Sequence, residues 1–154
     1  MKKNDGLKSF LTGVFSALTI GALTALTYKT TYGIFLITSF GSSMVMLYGY
    51  PERSFSQPKN IFFGHLLTSV VGIIFLYTIP LPIYLLIPLA VGSAIALMMI
   101  LNVTHPPAGA NPIIVIMGSV SLDYLINPII LGTLIILIFG IILNRLILKK
   151  NYPL

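Results

Sequence analysis

The amino-acid sequence predicts an all-α fold: a polytopic transmembrane helical bundle of about six membrane segments. Three observations support this prediction. Hydrophobic residues make up 56% of the 154 residues, charged residues only 8%, and the mean hydropathy is +1.00. Apolar runs of membrane-spanning length recur along the chain. Cationic residues collect in the polar stretches beside these runs, which is typical of loops retained in the cytoplasm.

Five runs are long enough, at roughly 20 residues, to cross a hydrocarbon layer of about 30 Å as helices. These runs are 10–28, 33–49, 61–79, 81–101 and 125–148. We interpret the first run as a retained helix, because it is longer than the usual signal-peptide core of about 7 to 15 residues. No clear small-residue cleavage site ends it before Lys29.

Charge placement predicts the orientation of the chain. The cationic residues form three groups, with Lys29 outside them: Lys2, Lys3 and Lys8; Arg53 and Lys59; Arg145, Lys149 and Lys150. Six crossings would put all three groups and both termini in the cytoplasm of a multi-pass cell-membrane protein. The sixth crossing must come from 106–122, either as a half-helix joined to irregular backbone or as a re-entrant hairpin. The net charge of +6 follows from this rule and an anionic leaflet, so we expect contact with the lipid bilayer and no nucleic-acid partner.

An internal repeat organises these segments. A shift of 68 residues lays 10–28 over 78–96, Phe40-Gly41-Ser42-Ser43 over Ala108-Gly109-Ala110-Asn111, and 61–79 over 129–147. An odd number of segments per copy predicts two inverted three-segment repeats, the plan of many secondary transporters, with the second and fifth segments broken or re-entrant. The predicted organisation is a cytoplasmic tail at 1–9, one transmembrane domain at 10–148 with halves 10–79 and 80–148, and a C-terminal tail at 149–154.

Five short blocks resemble a known family when they are read in order. They are Phe40-Gly41-Ser42-Ser43, Pro51-Glu52, Ser56-Gln57-Pro58-Lys59-Asn60, Gly64-His65 and Thr104-His105-Pro106-Pro107-Ala108-Gly109-Ala110. Together they resemble the HPP family of small integral membrane proteins, over about 10–148. The resemblance implies a multi-helix membrane protein with a transporter-like function. Plant and cyanobacterial members have been linked to nitrite transport, so it also implies a small anion as substrate.

The stretch 104–112 places helix-breaking and polar residues between two apolar runs. Backbone that leaves a helix inside a membrane must find partners in protein or water, so this break indicates a site. Helices that restart after Phe40-Gly41 and after Pro107 would point N–H groups at a ligand, and such groups favour an anion. The three acidic residues lie near predicted span ends, which disfavours a cation site or a carboxylate proton relay.

We therefore predict membrane transport of a small inorganic anion, nitrite by the resemblance, through a transporter or channel with its site at the broken helices. The candidate substrate-binding residues are Gly41, Ser42, Ser43, Gln57, Lys59, Asn60, His65, Asn102, Thr104, His105, Pro106, Pro107, Gly109 and Asn111. For the two histidines, a pH-sensing, anion-donating or proton-carrying role stands beside a purely structural one. For Lys59, a place at the cytoplasmic mouth stands beside a role in topology alone.

Other functions find less support. An enzyme is not expected, because Ser42, Ser43 and His105 lack a carboxylate partner nearby in the sequence. No metal or cofactor is expected, because the chain has no cysteine and only two histidines. The alternative to transport is a non-transporting membrane scaffold or sensor subunit. A bundle of this size is also compatible with a homodimer.

Overall fold

The computed structural model describes residues 3–154, with side chains from Gly6 onward, and it contains helices and no strand in that range. The α-helices are α1 (Lys3–Lys29), α2 (Thr38–Met44), α3 (Pro58–Thr78), α4 (Ile83–Ile100), α5 (Asn111–Gly118) and α6 (Leu131–Ile141). Lys2 and the side chain of Lys3 lie outside the described residues, so the predicted tail at 1–9 is described only in part.

Four helical stretches of the described chain are long and apolar enough to cross a membrane. They are Gly6–Lys29, Pro58–Thr78, Ile83–Ile100 and Leu122–Ile147. The last contains α6, and within this stretch π-helical turns continue α6 on both sides. Pro58 is the first residue of α3, where the N–H that proline lacks would have had no helical partner. The predicted long helices are therefore present, and they imply contact with the lipid bilayer.

The second predicted segment, 33–49, is broken. Residues 33–37 are non-helical, and α2 begins only at Thr38 and continues as a π-helix over Val45–Gly49. Gly33 has φ of +109°, a conformation that side chains rarely allow. The N–H of Phe35 donates to Thr27 Oγ1 of α1 at 2.9 Å, so the extended backbone has a side-chain partner. The break thus precedes Thr38, and the prediction of a break at 40–43 is wrong, because those residues are helical.

The fifth of the six predicted segments in chain order, 106–122, is also broken, in the form predicted as a half-helix joined to irregular backbone. After α4, Asn102 has φ of +54°, a 3₁₀-helix follows over Pro106–Ala110, and α5 completes the segment. Asn60 Nδ2 donates to Thr104 O at 3.0 Å near the start of α3. Tyr77 Oη donates to Val120 O at 3.0 Å near its end. The segment therefore runs alongside α3, and a re-entrant hairpin does not fit these contacts.

The second segment runs alongside α1 in the same way. Its beginning is fixed by the bond from Phe35 to Thr27, and at its far end Lys8 Nζ lies 6.0 Å from the ring centroid of Tyr50. Lys8 and Thr27 are about 28 Å apart at 1.5 Å per helical residue. Extended backbone followed by a short helix thus covers nearly the length of a transmembrane helix.

Close packing at two glycines joins α3 to the fifth segment. A Cβ added at Gly64 would lie 2.8 Å from His105 Cβ and 3.1 Å from Val103 O. A Cβ added at Gly72 would lie 2.9 Å from Pro112 Cα. Small residues at such positions let membrane helices approach closely, so these glycines set the position of the break relative to α3.

Two further glycines join the last helical stretch to the second segment. A Cβ at Gly132 would lie 2.9 Å from Phe35 O, and one at Gly140 would lie 2.8 Å from Leu47 Cδ1. Each broken segment is therefore held against a long helix through glycine contacts.

The C-terminal residues pack against the loop between α2 and α3. Tyr152 is 1% exposed, and its hydroxyl donates to Ser56 O at 2.9 Å. Leu154 N donates to Gln57 Oε1 at 2.8 Å. Burial raises the pKa of the Tyr152 phenol, so it remains a neutral donor. The predicted tail at 149–154 is thus a packed part of the fold.

Candidate functional site

Seven polar side chains are buried together where α2, α3 and the 105–111 stretch meet. We call this cluster the polar centre, and its members are Ser39, Ser43, His65, Thr68, Ser69, His105 and Asn111. Each is at most 2% exposed. Because a buried polar group is costly unless it is hydrogen-bonded, the pairing inside this cluster decides what it can do.

Helical periodicity places most of these side chains. Ser39 and Ser43 are one turn apart on α2, and His65, Thr68 and Ser69 share one face of α3. The fifth segment adds His105 directly before its 3₁₀-helix and Asn111 directly after it.

The amide of Asn111, the first residue of α5, joins α2 to α3. Its Oδ1 accepts a hydrogen bond from Ser39 Oγ at 2.8 Å, and its Nδ2 lies 3.0 Å from His65 Nδ1. The same nitrogen lies 3.1 Å from both Thr68 Oγ1 and Ser69 Oγ, and 3.2 Å from His65 O. Asn111 therefore has both ends of its side chain engaged.

The hydroxyl of Ser43 lies between the two imidazoles. Its Oγ is 3.0 Å from His65 Nε2 and 2.8 Å from His105 Nε2, and the ring centroids are 5.0 Å apart. His105 Nδ1 lies 2.6 Å from the carbonyl oxygen of Phe55 in the loop before α3. Ser43 Oγ also lies 3.2 Å from Ser39 O. The two histidines thus share one hydroxyl.

A serine beside a histidine resembles the nucleophile and base of a hydrolase. Here Ser43 and His105 are both fully buried, and the other imidazole nitrogen faces a backbone carbonyl. Among the described residues, no group of three or more His, Cys, Asp and Glu side chains could hold a metal ion. The arrangement is chemically suited to holding and moving protons rather than to contacting a substrate directly.

Two cavities are lined in part by Val45, the first residue of the π-helix that continues α2. A cleft of about 390 Å³, here the proline cleft, is lined by Ser42, Val45, Met46, Pro106 and Pro107. A groove of about 560 Å³, here the lysine groove, is lined by Lys8, Ser9, Thr12, Gly13, Ser16, Val45, Gly49 and Tyr50. Val45 borders both cavities.

The family model described as HPP, transmembrane region, matches residues 1–153. The chain belongs to the HPP transmembrane family. Two curated transmembrane proteins of Dictyostelium discoideum are similar to it, one 35% identical over 127 residues and the other 33% identical over 128. The alignments cover 77% and 78% of the HPP protein, but only 44% and 41% of the relatives, so it spans less than half of their length. No solved structure matches it.

The structure of the HPP protein brings only some of the predicted site residues together. Ser43, His65, His105 and Asn111 meet in the polar centre. The proline cleft contains three more: Ser42, Pro106 and Pro107. The remaining seven lie elsewhere or have other partners.

Four of those seven make contacts that hold the fold together. Asn60 Nδ2 donates a hydrogen bond to Thr104 O and so joins the start of α3 to the fifth segment. Gln57 binds the chain end at Leu154, and a Cβ added at Gly109 would lie 3.9 Å from Ile95 Cγ1 of α4. Three more do not reach the polar centre: Gly41, which lines a separate apolar groove, and Asn102 and Lys59, which are exposed.

The expectation of free N–H groups after Pro107 is wrong at Ala108, the first residue that could supply one. Pro106 and Pro107 carry no N–H, and Ala108 N donates to His105 O at 2.9 Å. An anion at this break must therefore find other donors.

The sequence interpretation missed several members of the site. Ser39, Thr68 and Ser69 lie three or four residues from predicted site residues on the same helices, so helical spacing could have indicated them. The carbonyl of Phe55 and the place of Lys8 beside a groove have no sequence signal, because both depend on tertiary packing.

Proposed function

We propose that this HPP protein carries a small inorganic anion, with nitrite as the first candidate from the family resemblance, across the cell membrane as a transporter or channel. The observation that carries the proposal is the proline cleft, which lies between the two broken segments and beside the polar centre. Irregular backbone at membrane depth is tolerated where it is buried in protein or lines a cavity, and here it borders one.

The proline cleft is a better place for the anion than the polar centre. In the polar centre the imidazoles, hydroxyls and amide bind one another, so an anion there would have to break existing hydrogen bonds. The cleft of about 390 Å³ is more than ten times the volume of about 30 Å³ that a water molecule occupies in the liquid. Ser42 supplies a hydroxyl there, and its neighbour in sequence, Ser43, belongs to the polar centre.

The lysine groove provides the cationic approach to the cleft. It combines the ammonium group of Lys8 with the hydroxyl groups of Thr12 and Ser16, and Val45 lines both the groove and the cleft. A cation beside a groove raises the local concentration of anions. Lys59, the cation favoured from the sequence, is exposed and remains a prediction for this role.

End-to-end contacts support six crossings with both chain ends on one side. The second and fifth segments run alongside α1 and α3, and the C-terminal residues return to the loop between α2 and α3 through Tyr152 and Ser56. Arg53 and Lys59 lie at this same end and Lys29 at the opposite one. By the positive-inside rule we assign this end to the cytoplasm.

Glycine contacts support the inverted repeat. Gly64 packs on Val103 O, and Gly132 packs on Phe35 O. The repeat shift of 68 residues moves Gly64 onto Gly132. The same shift in the opposite direction moves Val103 onto Phe35, so the two contacts are equivalent. The same exchange converts the contact of Gly72 with Val115 into the contact of Gly140 with Leu47. A two-fold relation between the halves produces this pattern.

We expect Val45→Phe to block anion uptake, because Val45 lines both cavities and the larger side chain would occupy part of each. Nitrite uptake into proteoliposomes containing only this protein should fall by at least about tenfold. The matched control is Ile138→Phe, which also changes a half-exposed apolar residue but borders neither cavity. Equal uptake by both variants would place the path elsewhere. No uptake by well-folded wild-type protein would favour the scaffold or sensor alternative.

We expect Lys8→Gln to lower uptake by several-fold at low ionic strength and by less at high ionic strength, because salt screens the attraction of the ammonium group for anions. Initial rates at two salt concentrations measure this effect. Lys29→Gln is the control, since Lys29 lies at the other end of α1. A salt-independent loss would mean that Lys8 acts on folding and not on the anion.

We propose no enzymatic activity for this chain. The hydroxyl of Ser43 is enclosed, and in the described residues its side-chain partners are two imidazoles without a carboxylate. This agrees with a role for the polar centre in transport rather than in covalent chemistry.

A further inference from the structure

We infer that the polar centre binds a single proton, that His105 carries it, and that the hydroxyl of Ser43 turns to accommodate it. The inference deepens the proposed function by naming the proton as the partner of the anion, and its transport role rests on that function. The hydrogen-bond geometry behind it stands independently.

The position of the hydrogen on His105 is fixed by the loop before α3. His105 Nδ1 lies 2.6 Å from the carbonyl oxygen of Phe55. A carbonyl oxygen can only accept, so Nδ1 carries the hydrogen and donates it. In the neutral ring, Nε2 is then a lone-pair acceptor, and it faces Ser43 Oγ at 2.8 Å.

The opposite tautomer is fixed on His65. Asn111 Nδ2 lies 3.2 Å from the carbonyl oxygen of His65, which identifies this end of the amide as the donor. The same nitrogen lies 3.0 Å from His65 Nδ1, so that ring atom accepts. The hydrogen of neutral His65 is therefore on Nε2, which donates to Ser43 Oγ at 3.0 Å.

In the neutral centre, these constraints fix the donor and the acceptor of both hydrogen bonds between Ser43 and the histidines. His65 Nε2–H donates to Ser43 Oγ, and the Ser43 hydroxyl donates to His105 Nε2. A proton that arrives on His105 Nε2 reverses the second bond, so that the imidazolium donates to Ser43. The Ser43 hydrogen then rotates to Ser39 O, which lies 3.2 Å from Ser43 Oγ. One proton is gained and one hydroxyl rotates, with no heavy-atom rearrangement required.

A second proton has no comparable place. On His65 it would have to attach to Nδ1, which faces the amide donor of Asn111. Two imidazolium rings would then lie with centroids 5.0 Å apart, and like charges at that distance oppose each other. The centre is therefore a one-proton site.

The groups that face His105 leave the charge of this proton without a fixed counter-ion. From α3 only His65 among the titratable groups faces it, and α2 contributes the hydroxyl of Ser43. The loop contributes the carbonyl of Phe55, while Glu52 in that loop is exposed with its carboxylate 4.0 Å from Arg53.

Neither Tyr152 nor Lys8 is a counter-ion for this charge. Tyr152 donates to Ser56 O, and Lys8 is cationic. An anion in the proline cleft, lined by Pro106 directly after His105, would supply the missing charge. By linkage, the anion raises the affinity for the proton and the proton raises the affinity for the anion to the same extent.

The chain contains only two histidines, so solid-state NMR of ¹⁵N-histidine protein in lipid bilayers tests the inference directly. At neutral pH we expect one ring with its hydrogen on Nδ1 and the other with its hydrogen on Nε2. On acidification, only the first ring should become doubly protonated. Proline labelling identifies His105, because Pro106 follows it whereas Leu66 follows His65. The same tautomer in both rings, or protonation of both rings together, would overturn the assignment.

Asn111→Asp provides a second spectroscopic test. A carboxylate facing His65 Nδ1 can only accept, so the His65 hydrogen should move to Nδ1. An unchanged His65 tautomer in the folded variant would contradict the network. This result does not depend on any transport measurement.

The transport role is tested with wild-type proteoliposomes that contain a pH-sensitive dye. We expect one proton to enter with each nitrite ion, and we expect His105→Gln to abolish uptake driven by a pH gradient. Nitrite flux without proton movement would refute the coupling alone. Absence of nitrite flux under every gradient would instead refute the proposed function, and the tautomer measurement would still decide the proton site.

Discussion

An Asn111→Leu variant is expected to unfold at a markedly lower temperature than the wild-type protein, with a loss of at least about 2 kcal/mol in the free energy of unfolding. Leucine has a similar shape but neither donates nor accepts. The change would leave His65 Nδ1 and the hydroxyl of Ser39 without their present partners in a fully buried cluster. Thermal unfolding followed by circular dichroism in detergent measures the effect.

Asn151→Leu is the control for this substitution, because Asn151 is exposed. A double-mutant cycle with Ser39→Ala tests the cause, since the two residues share a hydrogen bond of 2.8 Å. The double variant should lose less stability than the sum of the single variants. Additive losses would show that this bond contributes nothing specific.

Gly72→Ala is expected to destabilise the protein by about 1 to 3 kcal/mol, the usual cost of overpacking a well-packed core. The new Cβ would lie 2.9 Å from Pro112 Cα and 3.0 Å from Val115 Cβ. Pro112 Cα is a backbone atom, so relief requires α5 to move away from α3. The midpoint temperature of unfolding in detergent should therefore fall.

The control for Gly72 is Gly92→Ala in α4, where an added Cβ would have nothing within 4 Å. Alanine has a higher helix propensity than glycine, so this control should be neutral or stabilising by up to about 1 kcal/mol. Shifts of the same sign and size in both variants would contradict close packing between α3 and α5.

Much of the fold could be predicted from the sequence, because long apolar runs and clustered cations have few alternatives to transmembrane helices. The position of the second break could not. Gly41 and the serines at 42 and 43 have the composition of a break, yet they are helical, and Ser43 Oγ lies 3.2 Å from Ser39 O one turn earlier. Such side-chain bonds allow serine inside membrane helices, so composition alone misplaced the interruption.

The candidate site was predictable in some of its residues and not in its arrangement. His105 and Asn111 are recognisable because they flank helix-breaking prolines, and the structure joins both to α2 or α3. The cation that lines the lysine groove could not be predicted. It is Lys8 and not Lys59, because the groove depends on how α1 packs against the second segment. Hydrogen-bond direction likewise required the position of the Phe55 carbonyl.

The packed C-terminal residues have a practical consequence for work on this protein. Tyr152 anchors Ser56, and the adjacent residue, Phe55, directs the proton on His105. Deleting the residues after 149, or fusing a reporter that displaces Tyr152, would shift this loop and disturb the hydrogen bond between Phe55 O and His105 Nδ1. Affinity tags are therefore better carried at the other end of the chain when acid-dependent behaviour is to be measured.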